Sequence, residues 1–211
     1  MKRIALIIGF LIMSSCSSTR YIDSWKNTEI DTFQPEKLLV VGLTDNLTAR
    51  KIFEQDLKRE FSKRNINTLE STNVIDKTFT DSEKSEEEIN SMIKTLSDDG
   101  FDTVIITAVK GVEDKETYTS GYYTVDYHWR RFGRYYYRFQ DVYYTPGYYN
   151  NYKVYTVEST IYNINEDDDR SLVWVGAFNI VNPKKISTTV KDYVAKIIEQ
   201  LEKEGLIKVL N

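Results

Sequence analysis

The sequence predicts an α/β (α+β) fold, a mixed β-sheet with about three helices packed on it and one long tyrosine-rich insertion. Three observations predict it. KLLVVGL (37–43) and TVIITAV (103–109) are short runs of Leu, Ile and Val, the mark of strands covered on both faces. Stretches with an apolar residue every third or fourth position alternate with those runs, as amphipathic helices do. Two longer β-branched stretches then follow one another across an acidic turn, which reads as an antiparallel hairpin. Strands that alternate with helices and finish in a hairpin make a mixed sheet.

Taken in order, residues 17 to about 36 are polar, with Tyr21, Ile22, Trp25, Ile30 and Phe33 scattered among them and Pro35 closing the stretch. They read as a tether that ends in a loosely docked segment or an edge strand. Lys37 to Leu43 is the first core strand, and Asp45 or Asn46 caps the helix after it. In that helix Ala49, Phe53, Leu57 and Phe61 recur every fourth residue, and Ile52 widens the stripe. Lys58, Arg59, Lys63 and Arg64 gather at its C-terminal end, where the helix dipole favours cations. A short strand is expected over Asn67 to Glu70. Ser85 with Glu88 three residues later is a capping box. It opens a helix striped by Ile89, Met92, Ile93 and Leu96, which stops near Gly100. Thr103 to Val109 is the next buried strand, and Glu113, Asp114 and Glu116 solubilise its end.

After the insertion, 117–152, come Lys153 to Asn165 and Ser171 to Val181, joined by the turn Asn165-Glu166-Asp167-Asp168-Asp169. Pro183 ends the second of these strands. Val190, Val194, Ile197, Ile198 and Leu201 mark a last helix, ended by Gly205. No repeat of about 20 to 50 residues is visible, which argues against a solenoid. The expected organisation is a signal segment over 1–15, a lipidated tether and docked segment over 16–36, and a single α/β domain over 37–211.

Composition removes several classes of function. The chain has 211 residues, 28 Lys+Arg, 32 Asp+Glu, and one His. A single Cys makes no intramolecular disulfide or Cys-rich zinc knot, and a single His supplies no His-based metal cluster. A formal charge of -4 argues against a general nucleic-acid binder. Gly42 and Gly111 stand alone, so there is no Gly-rich phosphate cradle. No cofactor is expected.

The N-terminus is an address. Met1-Lys2-Arg3 is basic, and Ile4 to Met13 is apolar apart from Gly9. That run is half of the roughly twenty residues a bilayer span needs, and it reads as an export signal. Cys16, the only cysteine, sits where such a signal is cut. Met13-Ser14-Ser15-Cys16 resembles the lipobox of bacterial lipoproteins, with Met13 where the family usually has Leu. The resemblance implies that Cys16 is acylated and becomes the mature N-terminus, so that acyl chains hold the protein on the membrane at about 0.8 kcal/mol per buried methylene. A plain secretory signal with an incidental cysteine is the other reading. Ser17 stands where similar lipoproteins use Asp for retention at the inner membrane, which implies the outer membrane. The absence of an acidic run after it implies a periplasmic face.

A second resemblance rests on Trp25, LLVVGLTDN (38–46), Arg50 with Phe53-Glu54, FDTVIIT (101–107) and SLVWVG (171–176). These look like uncharacterised bacterial envelope lipoproteins, whose small α/β domain is similar to those of curli-secretion and penicillin-binding-protein-activator lipoproteins. The resemblance covers most of residues 21–207. It implies a domain type and a compartment, and it carries no catalytic residue.

Thirteen of the sixteen tyrosines lie between Tyr118 and Tyr155. Arg130, Arg131, Arg134 and Arg138 accompany them, against Asp126 and Asp141 as the only acids in 118–152, so an acidic chain carries one basic, aromatic segment. Tyr, Trp and Arg dominate binding hot spots because they combine rigid area with hydrogen bonds. The candidate binding residues are Tyr122, Tyr123, Tyr127, Trp129, Arg130, Arg131, Arg134, Tyr135 and Tyr137. Peptidoglycan, which presents sugar rings and carboxylates, a protein partner, and a lipid headgroup surface all fit this chemistry. Two bland readings stand beside these. Val125, Tyr127, Trp129 and Tyr135, Tyr137, Phe139 alternate around Gly133 as a hairpin with aromatic cross-strand pairs would, and the segment is also long enough to be a low-complexity loop.

No nucleophile motif accompanies His128, which reads as a polar member of the aromatic segment. Asp167-Asp168-Asp169 lacks the spacing of a calcium loop and reads as a solvated turn. Glu158 sits in a β-branched strand and needs a partner if it turns inward. The expected function is a non-enzymatic, lipid-anchored envelope protein that binds or organises another envelope component. The alternatives are a glycan-cleaving enzyme using Glu158, Asp126 or Asp141 as acid and base, and a structural spacer.

Overall fold

The computed structural model describes residues 17–30, 33–76, 79, 82–114, 132–133, 153–166 and 171–210. Among them the elements run β1 (Thr19–Lys26), β2 (Leu38–Leu43), α1 (Leu47–Ser62), β3 (Thr68–Glu70), α2 (Ser71–Val74), α3 (Glu86–Asp98), β4 (Thr103–Asp114), β5 (Lys153–Asn163), β6 (Leu172–Val181) and α4 (Ile186–Lys203). The strands form one six-stranded sheet in the order β1-β6-β5-β4-β2-β3. β2 is parallel to β3 and β4, and every other neighbouring pair is antiparallel. The mixed sheet with helices packed on it is the architecture expected from the sequence.

All six residues of β2 are buried, as a strand covered on both faces must be. Leu38 and Val40 face a first cluster with Phe53, Leu57 and Phe61 of α1 and Val194, Ile197 and Leu201 of α4. Leu39, Val41 and Leu43 face a second cluster with Ile89 and Leu96 of α3. Helices α1 and α4 therefore share one face of the sheet and α3 covers the other. The helix ends follow local chemistry. Asn46 Oδ1 accepts from the Ala49 amide at 3.0 Å, and Ser85 and Glu88 form the reciprocal capping box. Gly100 (φ 84°) and Gly205 (φ 71°) adopt the left-handed conformation that follows a helix end. No helix among the described residues is long and apolar enough to cross a membrane.

The segment ahead of Lys37 contributes β1, the edge strand that the sequence allows there, paired with β6 from Thr19↔Ile180 to Lys26↔Trp174. Two features differ from the sequence reading. β4 continues past Val109 to Asp114, because β5 pairs with it along its whole length, with a bulge between Val109 and Gly111. Within the insertion, Phe132 and Gly133 take a helical turn, where the hairpin reading put the pivot of two alternating strands. Phe132 is 3% exposed, with its ring 5.8 Å from that of Tyr162. A Cβ at Gly133 would come within 3.0 Å of Ile93 Cδ1, so α3 and the insertion meet closely at this glycine.

Candidate binding groove at the carboxyl ends of the parallel strands

β2 and β4 finish at the same edge of the sheet. β5 enters there and β6 leaves there, since Asp114 pairs with Lys153 and Val154 with Val181. α1 leaves β2 over the first face, whereas the connection that leaves β4 brings Phe132 and Gly133 to the second face, against Tyr162 and α3. Open α/β sheets hold ligands outside the carboxyl ends of such strands, where the connections part to opposite faces. A groove of about 590 Å³ lies at this place, on the side of α1 and α4. Its walls are apolar: Val109, Val157 and Ile180 from the sheet, Ala49 from α1 and Val190 from α4. Lys153, Lys184 and Asp45 stand at its polar rim. Val112 (48% exposed) and Ile186 (40%) also line it, and Leu47 (67%), the first residue of α1, lies beside it.

Both helices start at the groove and present the positive ends of their dipoles to it. The N-cap of α4 is Lys185, which makes no side-chain cap hydrogen bond, and neither helix has an acidic residue in its first turn. An acidic chain thus carries a locally cationic, apolar-walled groove suited to an anionic or amphipathic partner.

Beneath the groove runs a line of buried hydroxyls. Tyr193 Oη lies 2.7 Å from Ser159 Oγ, which lies 2.5 Å from Thr107 Oγ1. Burial pushes the Tyr193 phenol well above its ordinary value, outweighing its hydrogen bonds to Ser159 and Thr107. It stays neutral in the physiological range and acts by hydrogen bonding alone. Behind the groove, Glu54 is fully buried. One of its oxygens accepts from Gly42 N at 3.1 Å, Arg50 Nε at 3.0 Å and Ser71 Oγ at 2.6 Å, and the other from Thr72 N at 2.9 Å. This carboxylate ties the end of β2, the first turns of α1 and the start of α2 into one unit, which fixes one wall.

Glu158 turns inward, with 1% exposure, and meets Lys110 Nζ at 3.1 Å. It lies on the other face of the sheet, opposite Ala108 and Ala177 of the second cluster, and does not line the groove. The sequence-derived candidates Cys16, Tyr122, Tyr123, Tyr127, Trp129, Arg130, Arg131, Arg134, Tyr135 and Tyr137 lie outside the described residues, as do His128, Asp126, Asp141 and Asp167 to Asp169. The structure does show where their segment is rooted: it leaves after Asp114 and returns at Lys153, two residues paired with each other at the groove. Sequence reasoning missed Lys153, Lys184, Val112 and Ile186. Only the Pro183-Lys184-Lys185 step and an apolar Val112 beside Glu113 hinted at them.

The sequence matches no known protein-family profile and no curated protein. Among solved structures, the chain is similar to a PelC dodecamer from Paraburkholderia phytofirmans, at a TM-score of 0.42 and 10% identity over 87% of this chain and 95% of that one. It is also similar to lipoprotein GNA1162 from Neisseria meningitidis, at a TM-score of 0.40 and 12% identity over 80% and 99% of the two chains. At such scores the likeness carries no weight for function.

Proposed function

We propose that this chain is a non-enzymatic lipoprotein, anchored through acyl chains on Cys16 in the bacterial outer membrane and facing the periplasm. It binds or organises another envelope component, a protein or peptidoglycan, at one end of its sheet. The groove and the root of the Tyr/Arg-rich segment form a single contact surface there, while Phe132 of that segment packs on Tyr162 toward the other end of the sheet. The observation that carries the reading is the pairing of Asp114 with Lys153, which roots that segment on the rim of an apolar groove edged by Lys153 and Lys184. Paired-carboxylate glycan cleavage needs two carboxyl groups about 5 to 9.5 Å apart. Asp45 is the one carboxylate among the described lining residues, and Glu158 faces the opposite side of the sheet, which favours binding over that chemistry.

In-cell crosslinking with mass spectrometry tests the proposal. Intact protein is compared with a 118–150 deletion and with Val190→Lys, which places a charge in the groove wall. Both variants should lose the same partner or glycan fragment while keeping their fold by circular dichroism. Crosslink profiles identical to the intact protein in both variants would overturn the shared contact surface.

A further inference from the structure

We infer that the pole bearing the groove is a membrane-apposed face, resting on the headgroup layer of the leaflet that holds the anchor. This rests on the reading of Cys16 as acylated and narrows the component met at the groove pole to the lipid headgroup layer, since a pole held against the membrane does not reach peptidoglycan.

The first support is the length of chain between anchor and fold. Ser18 is already fixed to the sheet: its carbonyl accepts from Val181 N at 2.8 Å, and its amide donates to Asp192 Oδ2 at 3.0 Å. It lies two steps along the chain from Cys16, and each step spans at most about 3.6 Å. An acylated Cys16 at the headgroup surface therefore leaves Ser18 within about 7 Å of it. A domain on a long tether turns freely above a membrane. A strand that begins three residues after the anchor brings its own end of the sheet down with it.

That end is the groove pole. Thr19 pairs with Ile180, which lines the groove, and Asn182 N donates to the Lys153 carbonyl at 2.8 Å. The second support is what this pole exposes. Leu47, Val112 and Ile186 hold large apolar side chains in solvent, and Lys153, Lys184 and Lys185 stand around them. The carboxylates at this pole are Asp45, Glu113 and Asp114, and Asp192, which is occupied by the Ser18 amide. Apolar tips among basic stems match a headgroup layer, where the tips enter the acyl boundary and the cations meet phosphate. At the other end of the sheet stands Asp98, an exposed residue at the end of α3. The nine steps along β4 from Thr103 to Val112 put that end about 30 Å away.

Because Cys16 is the only cysteine, each of Val112→Cys, Ile186→Cys and Asp98→Cys gives the lipidated chain a single free thiol for a fluorescent label. Each full-length protein is placed in vesicles of phosphatidylethanolamine and phosphatidylglycerol containing a headgroup-nitroxide lipid. Intact mass records acylation of Cys16 in the same samples. The inference predicts that labels at 112 and 186 lose most of their fluorescence and that the label at 98 loses none. In an acylated chain, equal quenching at all three positions overturns the pole assignment alone. So does a label at 112 shielded from both the lipid nitroxide and an aqueous quencher, which marks a protein partner. A chain with unmodified Cys16 overturns the anchor and the pole together.

Discussion

Gly176→Ala tests how β6, which carries the N-terminal strand β1, is locked to the domain. Gly176 lies on the first face of β6 beneath the indole of Trp174, which is fully buried. A Cβ at 176 would sit 2.5 Å from Trp174 Cζ2, closer still to Cη2, and 3.1 Å from Phe178 Cε2. Ordinary carbon contact is about 3.5 Å, so the ring has to retreat by roughly 1 Å. Overpacking of this kind costs about 1–3 kcal/mol. The retreat also strains the bond from Trp174 Nε1 to Glu204 Oε2, 2.9 Å long, which is charge-assisted and contributes about 1.5–3 kcal/mol when intact. Because Glu204 is only partly buried and keeps Gln200 Nε2 at 2.6 Å and Ser24 Oγ as partners, only part of that is lost. The expected total is about 3 kcal/mol, or a fall in Tm of roughly 6–12 °C for a chain of this size. Urea denaturation followed by tryptophan fluorescence and circular dichroism measures it. In a Trp174→Phe background the shorter ring vacates the clash, so the added methyl should cost under about 0.5 kcal/mol and the two positions should couple by about 2 kcal/mol or more. An equal cost in both backgrounds would refute the packing argument.

Further predictions follow from the same geometry. Tyr193→Phe should cost about 1 kcal/mol at neutral pH through its lost hydrogen bond. The sign of its pH dependence is set by the raised phenol value in the fold. Stabilisation is complete below about pH 10, where the unfolded phenol ionises, and falls by up to about 1.4 kcal/mol per unit above it. Urea midpoints of wild type and variant should therefore converge between about pH 10 and 11, and a constant gap would contradict the buried network. Glu54→Ala removes the acceptor of four donors, the buried Arg50 guanidinium among them, so thermal melts should show a loss of about 3–5 kcal/mol; a loss below about 1 kcal/mol would mean that this carboxylate does not hold the groove wall. Cys16→Ser should move the full-length chain from the membrane fraction to the soluble periplasmic fraction, and continued sedimentation with membranes would argue for another anchor.

Much of the fold is legible in the sequence because it is written in local patterns. The Ser85–Glu88 box starts α3 where the pattern puts it, and the four-residue stripe of α1 faces the core through Phe53, Leu57 and Phe61. β2 shows as a run buried on both faces. β1 is harder to read because an edge strand need only half-bury its side chains: in Thr19–Lys26 one residue is buried. α2 is four residues held by the distant carboxylate of Glu54, so no local signal announces it. Register is likewise invisible. Lys110 and Glu158, 48 residues apart, meet because β4 and β5 pair in the register that sets Ala108 opposite Glu158. The groove escapes sequence reading for the same reason. Leu43–Asn46, Val109–Val112, Lys153–Val157, Ile180–Ile186 and Thr189–Val190 are ordinary stretches by themselves, and only the meeting of β2, β4, β5 and β6 at one edge joins them. The aromatic excess of 118–152 is plain in the composition, but composition does not say where a segment is rooted.

The most direct test of the account is site-specific photocrosslinking in living cells. A photoreactive residue at Ile186, on the groove rim, is compared with one at Asp98, at the far end of α3. Binding at the groove pole predicts a discrete adduct, a protein or a lipid-linked or glycan fragment, from position 186 and none from position 98. Adducts from position 98 alone, or the same adducts from both, would contradict it and move the binding face elsewhere on the molecule.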